Sequence, residues 1–157
     1  MRKSGRARQL VWDYLMFEPV SYTQLNSRQK ENYNFHKVAA RLADYGFHCL
    51  RLTDDWQGAD FIACHIDGQT FLKVQLKGRL CLDKKYIGKD IYIAFLRGDD
   101  CFVYPHDELL ATVIASGALN EESERWRDHG QRHWPQPPAW GLDFLSDYKI
   151  IDMKAAA

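Results

Sequence analysis

The sequence contains no long apolar run. Its longest uninterrupted apolar stretch is six residues, Ile91–Leu96, whereas a helix that crosses a bilayer needs about 20. No membrane span is therefore expected. The first 17 residues begin basic and turn apolar, but Asp13 interrupts the apolar part and no small-residue cleavage site follows. We therefore expect no signal peptide.

The sequence also lacks a Cys-x-x-Cys pair, repeats and low-complexity tracts. Its four cysteines are widely spaced, and most lie in apolar, strand-like segments, where a reduced thiol packs as a small hydrophobe. We expect reduced thiols and a cytoplasmic protein. A length of 157 residues with 46% hydrophobic and 27% charged residues is typical of a single globular domain. The prediction is one domain, residues 1–157.

The formal net charge is zero, but the charges are unevenly distributed along the chain. Residues 1–41 hold eight Lys or Arg against three Asp or Glu, and residues 71–97 hold seven against two. Residues 42–70 and 98–128 are acidic. If the two basic segments meet in space, a neutral protein can present a basic surface to a nucleic acid. Charges dispersed over a solvated surface remain the alternative.

The pattern of apolar residues predicts an α/β fold with a mixed central β-sheet flanked by helices. Asn26 and Ser27 are suitable N-caps for a helix over 27–45, and Gly46 is a typical residue to end it. On that helix, four apolar residues repeat at helical spacing: Phe35, Val38, Leu42 and Tyr45. The predicted strands are 47–52, 60–66, 69–77, 91–96 and 101–104, with a polar connection over 78–90. A helix over 106–115, a short acidic helix over 120–128 and an irregular Pro-rich loop over 134–138 complete the prediction.

The segment Phe71–Arg79 alternates apolar and polar side chains. Leu72, Val74 and Leu76 fall on one face of the predicted strand, because side chains alternate with a period of two. Lys73, Gln75 and Lys77 fall on the other face. This polar face is either a solvated surface or part of a site for an anionic ligand.

The hairpin register brings one acidic residue to this polar face. Asp67-Gly68 predicts a two-residue type I′ turn, which pairs position 60 with position 75. Directly opposed residues point to the same face, so Asp60, Gln75 and Lys77 are expected to converge at one end of the hairpin. A carboxylate and an amide oxygen beside an ammonium suit a hard cation and a phosphate.

At these residues the chain resembles the PD-(D/E)XK nuclease superfamily. The matching motifs are Gly58-Ala59-Asp60 at the start of one strand and Gln75-Leu76-Lys77 at the end of the next. The variant with Gln in place of Glu is most similar to the branch of group I intron-associated endonucleases. The resemblance covers about residues 27–115 and implies a restriction-endonuclease-like core, followed by a helical and Pro-rich extension over 116–154.

The resemblance implies a Mg²⁺-dependent DNA endonuclease, with Mn²⁺ as a possible substitute. Asp60 would bind the ion through its carboxylate, Gln75 through its amide oxygen and Leu76 through its backbone carbonyl. Lys77 would orient or deprotonate the attacking water, or neutralise charge on the phosphorane.

This sequence departs from the family pattern on its first helix. Families of this kind often carry a Glu at the position that Phe35 occupies here. Glu31 lies one turn earlier on the same face and is the candidate to replace that carboxylate. The alternative role for Glu31 is a first-turn acidic residue that the helix dipole favours.

Four basic residues are candidate nucleic-acid contacts: Lys73, Arg79, Lys84 and Lys85. A solvated loop explains Lys84 and Lys85 equally well. The resemblance to nucleases and these basic residues together make DNA the expected partner. No membrane is expected. Because a short chain holds one site and cleavage of both strands commonly needs two, a homo-oligomer is also expected. The competing function is a catalytically inactive nucleic-acid-binding or interaction module that keeps the nuclease fold.

Overall fold

The computed structural model describes residues 17–153, and the chain divides into two units between Lys30 and Glu31. In the first unit, a 3₁₀ turn (Tyr22–Gln24) precedes Asn26. The Asn26 Oδ1 accepts a hydrogen bond from the Gln29 N–H, and the Gln29 Oε1 accepts one from the Asn26 N–H, both at 2.9 Å. This reciprocal pair confirms Asn26 as the cap of the first helix.

The second unit contains most of the regular elements. The helices are α1 (Ser27–Ala43, which begins in the first unit), α2 (His106–Ala115), α3 (Glu124–His129) and α4 (Ala139–Leu145). The strands are β1 (Phe47–Trp56), β2 (Ala59–His65), β3 (Phe71–Leu76), β4 (Leu80–Asp83), β5 (Ile91–Arg97), β6 (Asp100–Pro105), β7 (Gln131–Trp134) and β8 (Lys149–Ile150). Two further 3₁₀ turns are Lys84–Tyr86 and Ser146–Tyr148.

Six strands form a mixed sheet in the order β1-β2-β3-β5-β6-β8. β3 and β5 are parallel, and every other neighbouring pair is antiparallel. β4 and β7 form a separate two-stranded antiparallel sheet. The predicted fold class, a mixed sheet flanked by helices, is confirmed.

The six-stranded sheet has an apolar cluster on each face. One cluster joins Phe35, Val38 and Leu42 of α1 to the apolar face of β3, where Val74 and Leu76 are buried. The other cluster joins β5 and β6 to four elements on the opposite side, namely β4, α2, α3 and α4. β5 contributes to both clusters, as predicted for a buried central strand.

The segment predicted as a polar connection, 78–90, is more structured than expected. It contains β4 and a 3₁₀ turn, and Leu80, Cys81 and Leu82 are all buried. β7 (Gln131–Trp134) was also missed: three of its residues were assigned to no element, and Trp134 was assigned to the Pro-rich loop. Neither strand belongs to the main sheet, and each is only four residues long.

Several predicted boundaries were wrong. β3 spans Phe71–Leu76 and not 69–77, and α3 spans Glu124–His129 and not 120–128. α1 ends at Ala43, so Tyr45 lies outside the helix, where its exposed side chain hydrogen-bonds the Ile151 backbone. β1 continues to Trp56 because Gln57 and Gly58, both with positive φ, make a tight turn into β2. The Gly58 N–H donates to the Asp55 Oδ1 at 2.8 Å and closes that turn.

None of the described helices is long and apolar enough to cross a membrane. All four cysteines are free thiols, as expected.

Candidate metal and phosphate site

The β2–β3 hairpin has the predicted register. Phe61 pairs with Val74 and Ala63 with Leu72, and this register continues to Asp60 opposite Gln75. The Gln75 Nε2 donates a hydrogen bond to the Asp60 Oδ2 at 2.5 Å. Asp60 and Gln75 therefore lie together on one face at the open end of the hairpin, the end away from the turn.

The turn that sets this register is not the type I′ turn that we predicted. Gly68 has a positive φ, but Asp67 does not, and the last strand pair is Cys64 with Phe71. Asp67 instead accepts hydrogen bonds from the N–H groups of Gln69 and Thr70, both at 2.8 Å. The loop is longer, but it is centred on the same two residues, so the register is unchanged.

Asp60 is held by two donors on β3. Besides the Gln75 amide, the Leu76 N–H donates to the same Oδ2 at 2.7 Å. Both bonds use one carboxylate oxygen, and Oδ1 takes no part in them. The side chain is half-buried at the start of β2, next to buried Ala59.

The Gln75 amide orientation follows from its neighbours. Its nitrogen lies 2.5 Å from a carboxylate oxygen and 3.2 Å from the Leu76 carbonyl oxygen, and both of these atoms are acceptors. The NH₂ group must therefore face them, which assigns Oε1 to the other side. These two bonds leave the amide oxygen available as a ligand.

The surroundings of Asp60 make its negative charge unfavourable. Burial raises the pKa of Asp60 above the ordinary range, and the charges of Glu31 and Asp55 add to this rise. The Leu76 hydrogen bond and the Lys77 charge lower the pKa, but they do not cancel the rise. A bound cation would relieve this excess of negative charge.

Glu31 is engaged by a basic residue. The Arg51 Nη2 donates to the Glu31 Oε1, and the Arg51 Nη1 donates to the Asn32 Oδ1. Arg51 also stacks on Phe35, with its guanidinium carbon 5.4 Å from the ring centroid. Glu31 is thus near enough to raise the pKa of Asp60, while its own charge is paired with Arg51.

Lys77 follows β3 directly and is fixed at both ends. Its N–H donates to the Ala94 carbonyl of β5 at 2.9 Å. Its ammonium lies 5.4 Å from the ring centroid of Tyr86. The field of this ammonium reaches Asp60, whose pKa it lowers.

β4 is attached to the main sheet by two buried side chains of the β6–α2 segment. The Tyr104 hydroxyl donates to the Cys81 carbonyl at 2.6 Å and accepts from the Cys81 N–H at 3.2 Å. The Asp83 N–H donates to the His106 Nε2 at 3.0 Å, so the His106 Nδ1 carries the proton that it donates to Asp107. This attachment fixes the start of the 3₁₀ turn Lys84–Tyr86.

The four candidate nucleic-acid contacts have different surroundings. The Lys73 ammonium donates to the Lys89 carbonyl, and the Lys84 ammonium lies 5.5 Å from the Trp126 ring centroid. Lys85 pairs with Asp83 at 3.6 Å and lies 4.9 Å from the Tyr86 ring centroid. Arg79 borders a groove of about 240 Å³ that Arg97 and Pro137 also line. Of the four, Lys85 shares Tyr86 with Lys77.

The oxygen donors fit a magnesium ion with a sparse protein shell. The described residues include no group of three or more His, Cys, Asp or Glu side chains that could hold a metal. The Asp60 carboxylate and the Leu76 carbonyl oxygen nevertheless both lie within hydrogen-bond distance of the Gln75 Nε2, so the Gln75 Oε1 would join them as a ligand if the amide turned over. Mg²⁺ commonly takes one or two carboxylates and keeps several waters. The donor set therefore suits this ion, while it does not suit a metal that needs thiolate or imidazole ligands.

Sequence reasoning missed several residues around the site. Arg51 lies within the predicted first strand, but its contact with Glu31 joins two separate elements, and Asp55 lies in the part of β1 that was predicted as a turn. In the sequence, Tyr86 is recognisable only as the residue that follows Lys84 and Lys85. Gly58 in the turn next to Asp60 was the available signal, because a glycine there allows a close approach by another group.

No protein-family model and no curated protein matches this chain. Among solved structures, this structure is similar to a bacterial homing endonuclease, I-Ssp6803I. The sequence identity is 16%, the match covers 55% of this chain and 70% of that chain, and the TM-score is 0.41.

Proposed function

We propose that this chain is a Mg²⁺-dependent DNA endonuclease of the PD-(D/E)XK type. The observation that carries the proposal is the 2.5 Å hydrogen bond between Gln75 and Asp60 at the open end of the β2–β3 hairpin, with Lys77 two residues after Gln75. The contact between the Asp and the Gln of the motif supports the proposal.

In this function, Asp60, Gln75 and the Leu76 carbonyl would hold the metal. When bound, Mg²⁺ polarises the scissile phosphate and lowers the pKa of a water. Lys77 would orient the attacking water and stabilise the negative charge that develops on the phosphorane. The water oxygen bonds to phosphorus while one bond from phosphorus to a sugar oxygen breaks, and a proton from water ends on that leaving oxygen.

DNA binding would use the basic side chains that follow β3. Arg79, Lys84 and Lys85 follow Lys77 in the sequence, and Lys73 lies on the polar face of β3. Each phosphate that a lysine or arginine neutralises releases counterions, so binding should weaken steeply with salt. An affinity that stays constant between low and high salt would argue against a nucleic-acid ligand.

A second candidate function is a catalytically inactive nucleic-acid-binding or interaction module. Two observations favour it: Gln75 supplies a neutral ligand where related enzymes often have a carboxylate, and Glu31 is paired with Arg51. A module of this kind would bind DNA without cutting it.

A cleavage assay separates the two candidates. Supercoiled, linear and branched DNA are incubated with the wild-type protein in Mg²⁺, in Mn²⁺ and in EDTA. The nuclease proposal predicts nicked or linear product only with metal, and it predicts none with Asp60→Ala. Intact DNA in both metals, together with equal DNA binding by wild type and Asp60→Ala, would favour the inactive module.

We also propose that the active form is a homo-oligomer, because one site per chain cuts one strand at a time. Sedimentation velocity with a DNA duplex tests this. Two or more chains per duplex are expected, and a strictly one-to-one complex that cuts both strands would contradict it.

A further inference from the structure

Tyr86 packs against the turn that leads into Asp60. Its side chain is buried, with only 1% of the residue exposed. A Cβ atom added to Gly58 would lie 3.0 Å from the Tyr86 Cε1 and 3.1 Å from its Cδ1. Gly58 therefore leaves the space that the ring fills, two residues before the carboxylate of the candidate site.

The Tyr86 ring is shared by two lysines. The Lys85 ammonium lies 4.9 Å and the Lys77 ammonium 5.4 Å from its centroid, both within the range of a cation–π interaction. Lys85 is also anchored by Asp83, which pairs with its ammonium and accepts a hydrogen bond from its N–H at 3.0 Å. One aromatic ring therefore fixes two cations, of which one belongs to the catalytic motif.

The two lysines act on a common region of the surface. Cys81 of β4 and His133 of β7 are paired residues. Burial raises the pKa of the Cys81 thiol to about 11, and both Lys77 and Lys85 oppose that rise. Both lysines also lower the pKa of His133, after the larger effect of its burial and together with Arg79. The positive charges of Lys77 and Lys85 thus act on the same two paired residues.

The ring accounts for the Lys77 contact, whereas the Lys85 ammonium also lies near the hydroxyl. The Tyr86 hydroxyl is buried and has no hydrogen-bond partner of good geometry among the described residues. Burial raises the pKa of Tyr86 to about 12 although the nearby Lys85 lowers it, so the phenol stays neutral at physiological pH. A phenylalanine would keep the same ring face and would remove a buried hydroxyl that gains little from hydrogen bonding.

We propose that Tyr86 is a positioning residue of this site. Its ring holds the Lys77 ammonium beside Asp60 and Gln75, and it brings the Lys85 ammonium to the same place as a second cation for the phosphates of one bound DNA strand. The proposal rests on the proposed nuclease function for the role of Lys77, but the geometry and the DNA contact can be tested without cleavage.

The geometry is tested by NMR of the lysine side chains. Methylene protons near an aromatic ring are shifted by its ring current, so Lys77 and Lys85 should both lose this shift in Tyr86→Leu and keep it in Tyr86→Phe. Tyr33→Leu is the matched control, because Lys37 lies 5.4 Å from the Tyr33 ring centroid on α1. That control should change the Lys37 signals and leave the Lys77 and Lys85 signals unchanged. Unchanged Lys77 and Lys85 signals in Tyr86→Leu would overturn the proposal.

DNA contact is tested in EDTA, where no cleavage occurs. The slope of log affinity against log salt should decrease by about 0.9 for each phosphate that the variant no longer neutralises. We expect one such decrease for Lys85→Ala and up to two for Tyr86→Leu, with no change for Tyr86→Phe or Tyr33→Leu. Equal decreases in Tyr86→Phe and Tyr86→Leu would mean that the hydroxyl binds the phosphate, and they would overturn the role of the ring.

Cleavage then separates positioning from folding. In Tyr86→Leu, kcat should fall about tenfold or more with a smaller change in KM, because a displaced Lys77 loses its alignment. The same change in the Lys77→Ala background should add little, and Tyr86→Phe should restore the wild-type rate. If Tyr86→Leu does not fold, Lys85→Ala and Tyr86→Phe still test the proposal through the salt slope.

The outcomes for the two proposals can be told apart. A wild-type protein that cuts nothing but shows these salt slopes would refute the nuclease proposal and would support the shared role of Lys77 and Lys85. If the wild-type protein cuts DNA and Tyr86→Leu is equally active, the nuclease proposal stands and the positioning role of Tyr86 is refuted.

Discussion

The two ends of the β2–β3 hairpin each carry an aspartate, and the two carboxylates have opposite environments. Asp67 at the turn is exposed and accepts hydrogen bonds from the Gln69 and Thr70 N–H groups and the Thr70 hydroxyl, which lower its pKa. Asp60 at the open end is half-buried, and burial raises its pKa despite two donors. The turn carboxylate is thus satisfied by its own loop, whereas the other carboxylate retains a need for positive charge. This difference separates a structural aspartate from a candidate ligand.

The largest difference between the two ends should appear in cleavage. Asp60→Asn removes the charged ligand, so metal-dependent cleavage should fall by at least about 10³-fold. Asp67→Asn should change the rate by less than about twofold. DNA binding by Asp60→Asn should stay equal or become tighter, because a negative charge beside the phosphates is removed. Single-turnover kinetics on a fixed duplex measures both variants, and equal reductions in rate would remove the distinction between the two ends.

The next effect compares Lys73, on the polar face of β3, with Lys77, which follows the strand. Lys77→Ala should lower the cleavage rate by about 10²-fold, because it removes the cation next to Asp60. Lys73→Ala should lower it by less than about tenfold, since the Lys73 ammonium is bonded to the Lys89 carbonyl. Rates measured at saturating DNA separate this effect from weaker binding. If Lys73→Ala lowers the rate more than Lys77→Ala does, the reactive phosphate binds nearer the middle of β3 than we propose.

A smaller effect is expected when Gln75 becomes a carboxylate. Gln75→Glu places a second negative charge beside Asp60, which should tighten Mn²⁺ binding about tenfold through the added ligand charge. Without metal, the same change should destabilise the fold, because two carboxylates then face each other and the amide donor is absent. Calorimetric titration with Mn²⁺ and thermal melting in EDTA measure the two halves. If Gln75→Glu binds Mn²⁺ no more tightly than the wild type, the side chain at position 75 does not face the ion.

The smallest effect is the pH dependence of stability, and its sign differs between the two ends. The pKa of Asp67 is lowered in the folded state, so its contribution is present above the ordinary Asp pKa and is lost as pH falls. The pKa of Asp60 is raised, so the folded state binds its proton more tightly and stability falls as pH rises through that raised pKa. Urea unfolding at a series of pH values should show that Asp60→Asn and Asp67→Asn remove opposite slopes. Slopes of the same sign would contradict the two environments.

The sequence was sufficient to predict the central hairpin and its polar face. Asp67-Gly68 gave the correct register although the turn type was wrong, because the longer loop is centred on the same residues. The alternation from Leu72 to Lys77 identified the two faces of β3, since one face is buried against α1 and the other is not.

Features that depend on long-range contacts were not predictable. β4 is a short strand outside the main sheet, and its buried position depends on Tyr104 and His106, more than 20 residues away in sequence. The pairing of Glu31 with Arg51 joins the first helix to β1, and the two residues are 20 positions apart in the sequence. The contact between Tyr86 and Gly58 has no local pattern at all, because it depends on how β4 and the following turn are attached.

The most direct test of the open end as a metal site is a crystal of the protein soaked in Mn²⁺ and measured for anomalous scattering. We predict a manganese peak in contact with the Asp60 carboxylate, with the Gln75 amide turned over so that its oxygen also faces the ion. The peak should be absent from crystals of Asp60→Asn. A peak confined to Asp67 or to other surface carboxylates, with none at Asp60, would contradict the assignment of this site.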